Sequence, residues 1–272
     1  MLIVTRQANA LYFISPSLLL LTKELITNLK MKLISWNLNG LEDAYLDERT
    51  EAAMFQMLLG APIEKAMMEG FKPNSPDIIV LQEVVERTFH AHIKPHLTAA
   101  GFHIYAGSSS ERSYFEIIAS RFPFKSKHYQ KFSWSDQGRG LSMVQLENNL
   151  SILTAHMESQ KPGSSMRIDQ AAEILDLMPK NSPCIFAGDT NLREAEWQAL
   201  ETDDIIDAWE AQNSPKKHKV TWRNKAYKAR YDRAWLLNLT PVNFETFGEN
   251  KIMGANQASS DHSALRVEFK LK

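Results

Sequence analysis

The sequence predicts a single α/β (α+β) domain in which two mixed β-sheets pack face to face and helices cover their outer sides. Short apolar runs rich in β-branched and aromatic residues recur along the chain, which is typical of strands. Some of these runs alternate with stretches of helical periodicity, while others follow one another across a tight turn such as Asn148-Asn149. A combination of hairpins and strand–helix–strand units favours mixed sheets over a purely parallel one.

The strands are predicted from apolar runs of strand length that end at polar or turn-forming residues. They cover residues 32–37, 77–82, 102–106, 115–119, 141–146, 150–156, 184–188, 231–236 and 264–271. The helices are predicted at 47–70, 84–100 and 164–177, where apolar residues recur at helical spacing. In the third helix, Ile168, Ala172 and Leu175 follow the spacing of one buried face, and Pro179 ends the helix.

Residues 31–272 are predicted to form one domain, because no repeat, low-complexity tract or flexible linker divides the 272-residue chain. Residues 1–30 form an extension of uncertain role. Its apolar run, 11–21, is too short to span a bilayer and lacks a small-residue cleavage pattern, so a signal peptide is not expected. The extension is either amphipathic or the result of a start codon placed too early, since Met31 opens the first well-defined strand.

Charge and cysteine content limit the class of protein. Lys plus Arg (31) nearly balances Asp plus Glu (32), which excludes a cationic footprint over the whole surface but allows a local basic groove. The only cysteine, Cys184, lies in an apolar run, so no internal disulfide can form. We therefore expect a reducing, cytoplasmic compartment and no membrane partner.

Polar residues follow the first two strands at the points where they end. Asn37 and Asn39 lie two residues apart, so an extended chain would project both side chains to one side. Glu83 follows the strand at 77–82. It either faces the same edge or is the first-turn acid of the following helix, where it would complement the helix dipole.

The segment Gly188-Asp189-Thr190-Asn191 is more specific. It follows a buried strand, and Asp189 and Asn191 are placed to hold a water and a phosphate oxygen. The alternative is that the two side chains cap the next helix. Asp261 and His262 directly precede the last strand, and His156 ends another one. A single histidine at a strand end is commonly structural, but two of them beside acidic strand ends suggest a site.

This set of side chains predicts a Mg²⁺ site, with Mn²⁺ as a possible replacement. Carboxylates and carboxamides suit Mg²⁺, which keeps several waters and takes phosphate oxygens as ligands. Zinc is disfavoured because the sequence has no Cys/His cluster at ligand spacing. We interpret His90, His92 and His96 as one solvated helix face.

Five motifs in order resemble the endonuclease/exonuclease/phosphatase superfamily. They are WNLNG (36–40), LQE (81–83), HMES (156–159), GDTN (188–191) and SDHSAL (260–265). The chain looks most similar to the tyrosyl-DNA phosphodiesterase type two branch, through GDTNLRE (188–194), HMES, and Thr221-Trp222 followed by RYDR (230–233). Asn39 departs from that branch, which usually carries aspartate there. The resemblance implies a four-layer sandwich and metal-dependent hydrolysis of a phosphodiester.

The resemblance also implies roles for individual residues. Glu83 would be the principal metal ligand, Asn37 would orient phosphate or metal, and Asn39 would hold a metal-bound water. Asp189 would position or deprotonate the attacking water, with Asn191 holding that water or a phosphate oxygen. His262, oriented by Asp232, would donate to the phosphate, which His156 and Ser159 would also contact. Strand alternation would turn Asp261 away from the atom that His262 contacts and toward the metal.

A basic segment near the carboxyl end favours a nucleic acid substrate, in particular the ends of single-stranded DNA. Eight Lys and Arg residues between 216 and 233 are interleaved with Trp222, Tyr227 and Tyr231, as a single-strand groove requires. Trp222 would stack on a base, and Tyr114 or Phe115 would form the opposite wall. Arg193 and Arg230 are further predicted substrate-binding residues. The alternative is a solvated, charged surface loop.

The leading hypothesis is therefore a DNA-processing phosphodiesterase that removes adducts from 5′ ends. A nuclease or apurinic endonuclease, or a lipid or sugar phosphatase, would keep the same site with another substrate. A scaffold with an inactive site is disfavoured, because Glu83, Asp189 and His262 are all present. The sequence gives no indication of a protein partner.

Overall fold

The computed structural model describes residues 4–7, 10–13, 30–60, 75–107, 112–202, 204–213, 215–252 and 255–271. Most of the extension 1–30 and the second half of the predicted helix 47–70 lie outside the described residues.

In the described part of the chain, runs of consecutive strands are interrupted by helices. In chain order the strands are β1 Val4–Gln7, β2 Ala10–Phe13, β3 Lys30–Asn37, β4 Ile78–Val85, β5 His103–Tyr105, β6 Tyr114–Ser120, β7 Phe124–Lys131, β8 Gly140–Leu146, β9 Ser151–Ala155, β10 Cys184–Asp189, β11 Ile206–Asp207, β12 Trp222–Arg223, β13 Lys228–Ala229, β14 Asp232–Leu237, β15 Leu239–Phe247 and β16 Ala264–Leu271. The helices are α1 Leu46–Leu59, α2 Glu86–Thr88, α3 Lys94–Ala99, α4 Ser164–Leu177 and α5 Glu194–Trp197, with a π-helical turn at Phe89–Ile93 and 3₁₀ turns at Glu210–Gln212 and Lys216–His218.

Two six-stranded mixed sheets form the centre of the molecule. Their strand orders are β15-β16-β3-β4-β6-β5 and β11-β14-β10-β9-β8-β7. One core fills the space between the sheets, with members such as Leu33 and Val80 from the first and Ile152 and Ile185 from the second. Two further cores join each sheet to its outer helices. The predicted four-layer sandwich is confirmed.

Each sheet contains one parallel pair, and these pairs bring the functional strand ends together. β3 runs parallel to β4, and β9 runs parallel to β10. The bridge between His156 and Asp189 extends the second pair by one step. Because parallel strands end at the same edge of a sheet, the residues after all four strands gather at one rim of the sandwich.

The second predicted helix begins later than expected. β4 continues through Val84 and Val85, and the helical stretch starts at Glu86. The register of β4 against β6 shifts between Leu81 and Val84, where Glu83 adopts a φ of 52°. A bulge at Glu83 therefore allows the strand to continue, which the β-branched valines favour.

The predicted buried face of α4 is wrong by one position. The buried residues are Arg167, Gln170, Ala171 and Ile174, whereas Ile168, Ala172 and Leu175 line an open groove on the outer side of the helix. The buried side is partly polar, because Arg167 pairs with Glu196 and Gln170 accepts a hydrogen bond from the Glu158 backbone. Apolar spacing cannot identify a face that is buried through ion pairs.

Two long strands, β7 and β15, were not predicted. Both lie at the edge of a sheet. β7 is mostly exposed and carries three lysines, so it lacks the apolar alternation of a half-buried strand.

Within the described ranges, no helix is long and apolar enough to cross a membrane. The cytoplasmic location stays a prediction.

Candidate active site

A cleft of about 440 Å³ opens at the rim where the parallel strands end. Its walls include predicted residues from all five motifs and from the basic segment. They are Asn39, Glu83, Tyr114, His156, Ser159, Asp189, Asn191, Arg193, Trp222, Asp261 and His262. Asn37 and Asp232 are buried and support this lining through hydrogen bonds.

Asn37 joins the two sheets at the floor of the cleft. Its side-chain amide donates to Glu83 Oε1 at 3.2 Å and to Asp189 Oδ2 at 2.9 Å. Its Oδ1 accepts a hydrogen bond from the backbone N–H of Asn39. One carboxamide from the first sheet thus fixes a carboxylate from each sheet.

Four non-glycine residues of the cleft adopt left-handed backbone conformations; one is Gln160 (φ 67°), and the other three lie at strand ends or in a bulge. These three are Asn39 (φ 49°), Glu83 (φ 52°) and Asn191 (φ 51°). This region is uncommon for non-glycine residues, least so for asparagine. Each of the three occurs at the end of a strand or at its bulge, where the turned backbone directs the side chain into the cleft rather than along the sheet.

Two carboxylates of the cleft, those of Asp189 and Glu83, are held in surroundings that disfavour their charge. Burial raises the pKa of Asp189 to about 6, although the nearby His262 and the Asn37 amide act in the opposite direction. Burial also raises the pKa of Glu83, which the Asn37 hydrogen bond partly offsets. The pKa of Asp189 therefore lies close to neutral pH, as the function of a general base requires.

His262 is held in its charged form. Its Nδ1 lies 2.8 Å from Asp232 Oδ2, and its Nε2 lies 3.7 Å from Asp189 Oδ2. Burial alone would lower the pKa of His262, but the Asp232 and Asp189 carboxylates outweigh it and raise the pKa to about 10. At neutral pH the imidazolium therefore presents Nε2–H to the cleft as a hydrogen-bond donor.

His156 has the opposite protonation state. Burial, followed by the positive charges of Arg139 and His262, lowers its pKa well below the usual value. Its Nε2 lies 3.3 Å from Asp189 Oδ2, and its Nδ1 finds no hydrogen-bond partner among the described residues. The cleft thus combines one neutral and one protonated histidine on either side of Asp189.

Asp261 lines the cleft and makes a contact that the sequence did not indicate. Its Oδ2 accepts a hydrogen bond of 2.8 Å from Trp222 Nε1. Trp222 also bridges to the backbone of His262, and its ring lies 5.4 Å from that of Tyr231. Asp261 therefore orients the aromatic wall of the cleft, and one of its two oxygens is already occupied.

Arg230 is not brought into the cleft. It is buried, pairs with Asp207 at 2.9 Å and Glu210 at 3.1 Å, and covers the ring of Trp209 at 4.3 Å. Arg230 instead lines a neighbouring pocket that shares Arg193, Trp222 and Tyr231 with the cleft. Arg193, in contrast, lines the cleft, with its guanidinium on the Asn191 carbonyl and over the Tyr231 ring.

Arg139 and Gln137 line the cleft but were not predicted. Arg139 is 3% exposed, lies 5.1 Å from the centre of the Tyr114 ring, and its Nη1 finds no partner within the described part of the chain. Gln137 donates to and accepts from Ser159 Oγ, which holds that hydroxyl against the wall. The available signal was an arginine between Gly138 and Gly140 at the start of a strand.

The alternatives for the strand-end residues receive no support from the geometry. Glu83 lies in the bulge of β4, three residues before α2. The first turn of α5 is closed by the Arg193 backbone and the Glu196 carboxylate, so Asp189 and Asn191 do not cap it. Of the helical histidines, His92 pairs with Asp47, which is consistent with a surface face.

Among the described residues, one group of side chains could hold a metal by proximity alone. Asp189, Asp232 and His262 offer ligand atoms within 4.8 Å of one another. However, His262 is protonated and its Nδ1 bonds to Asp232, so this imidazole has no free lone pair to offer a metal. The three predicted metal ligands, Glu83, Asn39 and Asp261, also supply oxygen donors to the lining of the cleft.

Comparison with known proteins identifies a family model and a set of similar chains. The model described as the Endonuclease/Exonuclease/phosphatase family matches residues 34–262. Tyrosyl-DNA phosphodiesterase 2 of Mus musculus is 31% identical over 256 residues, which cover 85% of this chain and 64% of that protein. The 5′-tyrosyl-DNA phosphodiesterase of Caenorhabditis elegans is 28% identical, covering 92% of this chain and 69% of that protein. The chain thus spans just under two thirds of the mouse relative.

Solved structures share the architecture. A crystal structure of D. rerio TDP2 complexed with a single-strand DNA product superposes with a TM-score of 0.74 and 25% identity, covering 89% of this chain and 99% of that one. A structure of ANGEL2, a 2′,3′-cyclic phosphatase, reaches a TM-score of 0.64 at 14% identity, covering 90% of this chain and 97% of that one, which shows a common fold only.

Proposed function

The chain belongs to the Endonuclease/Exonuclease/phosphatase family, and from this premise we propose that it hydrolyses phosphodiester bonds at the ends of DNA. The proposed substrate is a single strand that carries a tyrosyl adduct on its 5′ phosphate. The mouse relative is named a tyrosyl-DNA phosphodiesterase and the nematode relative a 5′-tyrosyl-DNA phosphodiesterase, and the D. rerio structure holds a single-strand DNA product.

One observation carries the proposal: a continuous series of contacts links Glu83, Asn37, Asp189 and His262 across the two sheets. In this arrangement Asp189 accepts the proton of the attacking water. With its pKa near 6 it is ionised at neutral pH and still basic enough to take a proton. Asn191, which is fixed by its own backbone bond to Asp189 Oδ1, orients that water.

His262 stabilises the negative charge that builds on the phosphate. Asp232 holds the imidazolium by Nδ1, which leaves Nε2–H as the donor. A preorganised donor of this kind contributes roughly 2.7–4 kcal/mol to the transition state. His156 and Ser159 contact the same phosphate from the opposite wall, beside Arg139.

The residues fit a divalent cation, with Glu83 and Asn39 as its protein ligands. Both are oxygen donors that face the cleft, which suits Mg²⁺ or Mn²⁺ better than zinc. When bound, the ion would neutralise charge on the phosphate and act as a Lewis acid. Asp261, the third predicted ligand, also lines the cleft, and its Oδ1 is not engaged by Trp222.

A second pocket gives the single strand a path away from the cleft. It has a volume of about 410 Å³ and shares Arg193, Trp222 and Tyr231 with the cleft. Lys219 and Lys228 form its basic side, and the exposed Tyr227 forms its outer wall. Alternating aromatic and basic walls suit bases that stack and a backbone that carries negative charge.

A hydrolysis panel tests the proposal. The protein is incubated with 5′-phosphotyrosyl single-stranded DNA, abasic duplex, unmodified single-stranded DNA and a phosphorylated lipid, each with Mg²⁺, with Mn²⁺ and with EDTA. We expect release of tyrosine from the first substrate, lost in EDTA and restored by either metal. Preference for the lipid would replace the DNA assignment with a lipid phosphatase, and absence of turnover on every substrate would favour a scaffold.

A further inference from the structure

Arg49 lies behind the cleft and was not assigned a role by the sequence. It is on α1, is 2% exposed, and has no carboxylate as a hydrogen-bond partner among the described residues. Its partners are five backbone carbonyls. They belong to Leu38, Asn39, Glu42, Ala44 and Ser259, at distances from 2.5 to 3.2 Å.

These five carbonyls come from two separate loops, which we name the Asn39 loop (38–44) and the His262 loop (259–262). Four belong to the Asn39 loop and one to the His262 loop. The same nitrogen, Nη1, donates to Leu38 in the first loop and to Ser259 in the second. A single guanidinium thus spans both loops, which are separated by more than two hundred residues in sequence.

The two loops carry residues with different roles in the proposed reaction. The Asn39 loop presents a metal ligand, and the His262 loop presents the phosphate donor and, through Asp261, the orientation of Trp222. A planar guanidinium offers five N–H groups in fixed directions. We propose that Arg49 is a positioning residue that sets the distance between the metal side and the donor side of the cleft.

Two further contacts support this role. Gln56, seven residues later on the same helix, donates to Ser259 Oγ at 3.0 Å, so α1 holds the His262 loop at two points. In the second loop, Ser260 donates to the Asn37 carbonyl at 2.7 Å and accepts from His262 N–H at 3.0 Å. A shift of Ser259 is therefore transmitted to both His262 and Asn37.

The inference rests on the proposed function, but part of its test does not use a substrate. Arg49→Lys keeps the charge and replaces the five-donor fork with one ammonium, which cannot reach both loops in the same geometry. We expect kcat on the 5′-phosphotyrosyl strand to fall between about tenfold and a hundredfold, with KM changed little, because displaced catalytic groups cost rate more than binding. Hydrogen exchange should become faster in both loops together.

Arg121→Lys is the matched control. Arg121 also bonds two backbone carbonyls, those of Pro76 and Ala100, but at a part of the first sheet that does not line the cleft. It should lower the melting temperature without changing kcat below that temperature. Gln56→Leu should accelerate exchange in the His262 loop alone and reduce kcat less than Arg49→Lys.

Three results would overturn the inference: kcat of Arg49→Lys within twofold of the unchanged protein, an equal loss of kcat in Arg121→Lys, or faster exchange in only one loop of Arg49→Lys. If the unchanged protein does not cleave the tyrosyl strand, the proposed function fails, and the exchange data still decide whether Arg49 couples the two loops.

Discussion

At the scale of single residues, the site depends on buried neighbours that give similar side chains different roles. Asp189 and Asp232 are both buried carboxylates and are paired across β10 and β14. The proton affinity of Asp189 is raised, while Asp232 stabilises an imidazolium. The two histidines also differ, because the pKa of His156 is lowered and that of His262 is raised. Two acids and two imidazoles therefore divide into a base, an orienting group, a donor and a neutral contact.

The role of Asp189 as base is tested by Asp189→Asn. The amide keeps the shape and cannot take a proton, so we expect kcat to fall roughly a hundredfold or more. Circular dichroism should show an unchanged fold. Asp169→Asn, on the exposed side of α4, is the control and should keep full activity. Full activity in the Asp189 variant would remove that residue from the proton transfer.

The pH profile tests both titrations in one measurement. Asp189 must be ionised and His262 must be protonated, so kcat/KM should rise with pH through about 6 and fall near about 10. Asp232→Asn removes a carboxylate that raises the pKa of His262, so the descending limb should move to lower pH. A descending limb that stays in place would show that it reports another group.

At the scale of elements, the site depends on where strands end and how closely they approach. Glu83 reaches the cleft because β4 bulges, and Asp189 reaches it because β10 lies against β9 without a side chain at Gly188. A Cβ at position 188 would lie 2.3 Å from the Ala155 carbonyl oxygen. Close packing of the strands thus requires glycine directly before the proposed base.

Gly188→Ala should therefore affect both stability and catalysis. Separating β9 from β10 should lower the free energy of unfolding by about 1–3 kcal/mol, which urea denaturation would measure. The same movement displaces Asp189 and His156, so kcat should also fall at temperatures where the variant is folded. A variant with unchanged stability would mean that the two strands can shift apart without cost.

At the scale of the whole molecule, the net charge of −1 indicates that any attraction for DNA is local. The lysines of the second pocket lie on one side of the cleft, beside aromatic walls. Acidic residues elsewhere on the molecule balance these lysines in the net charge. Binding should therefore depend on a few contacts near the site rather than on an overall cationic surface.

The salt dependence of binding tests this distribution of charge. Replacing Lys219 and Lys228 by Gln should reduce the slope of log(1/KM) against log[salt] by about 0.7 for each phosphate that these lysines neutralise. The value of kcat should change little, since both lysines lie outside the cleft. Lys180→Gln, in the groove beside α4, is the control and should leave the slope unchanged. If the pocket variant and the control showed the same salt slope, the DNA would bind at another part of the surface.

The sequence by itself determined the sandwich, most of its strands and the residues gathered at their ends. These follow from local information: strand periodicity, residue types that suit a metal and a phosphate, and five motifs in order. It also suggested the correct partner for His262, through the resemblance in Arg230-Tyr231-Asp232-Arg233. What it could not supply was the direction of side chains whose partners are distant in sequence.

Tertiary packing decided those directions. Asp261 bonds to Trp222, Arg230 to Asp207, and Arg49 to two loops. Buried polar groups are stable only with a hydrogen-bond partner, and folding brings these partners within about 3 Å. Arg139 lines the cleft through its contacts with Gln137 and the Tyr114 ring. Residue type and spacing specify which groups are available, and only the packing of one sheet on the other specifies which of them meet.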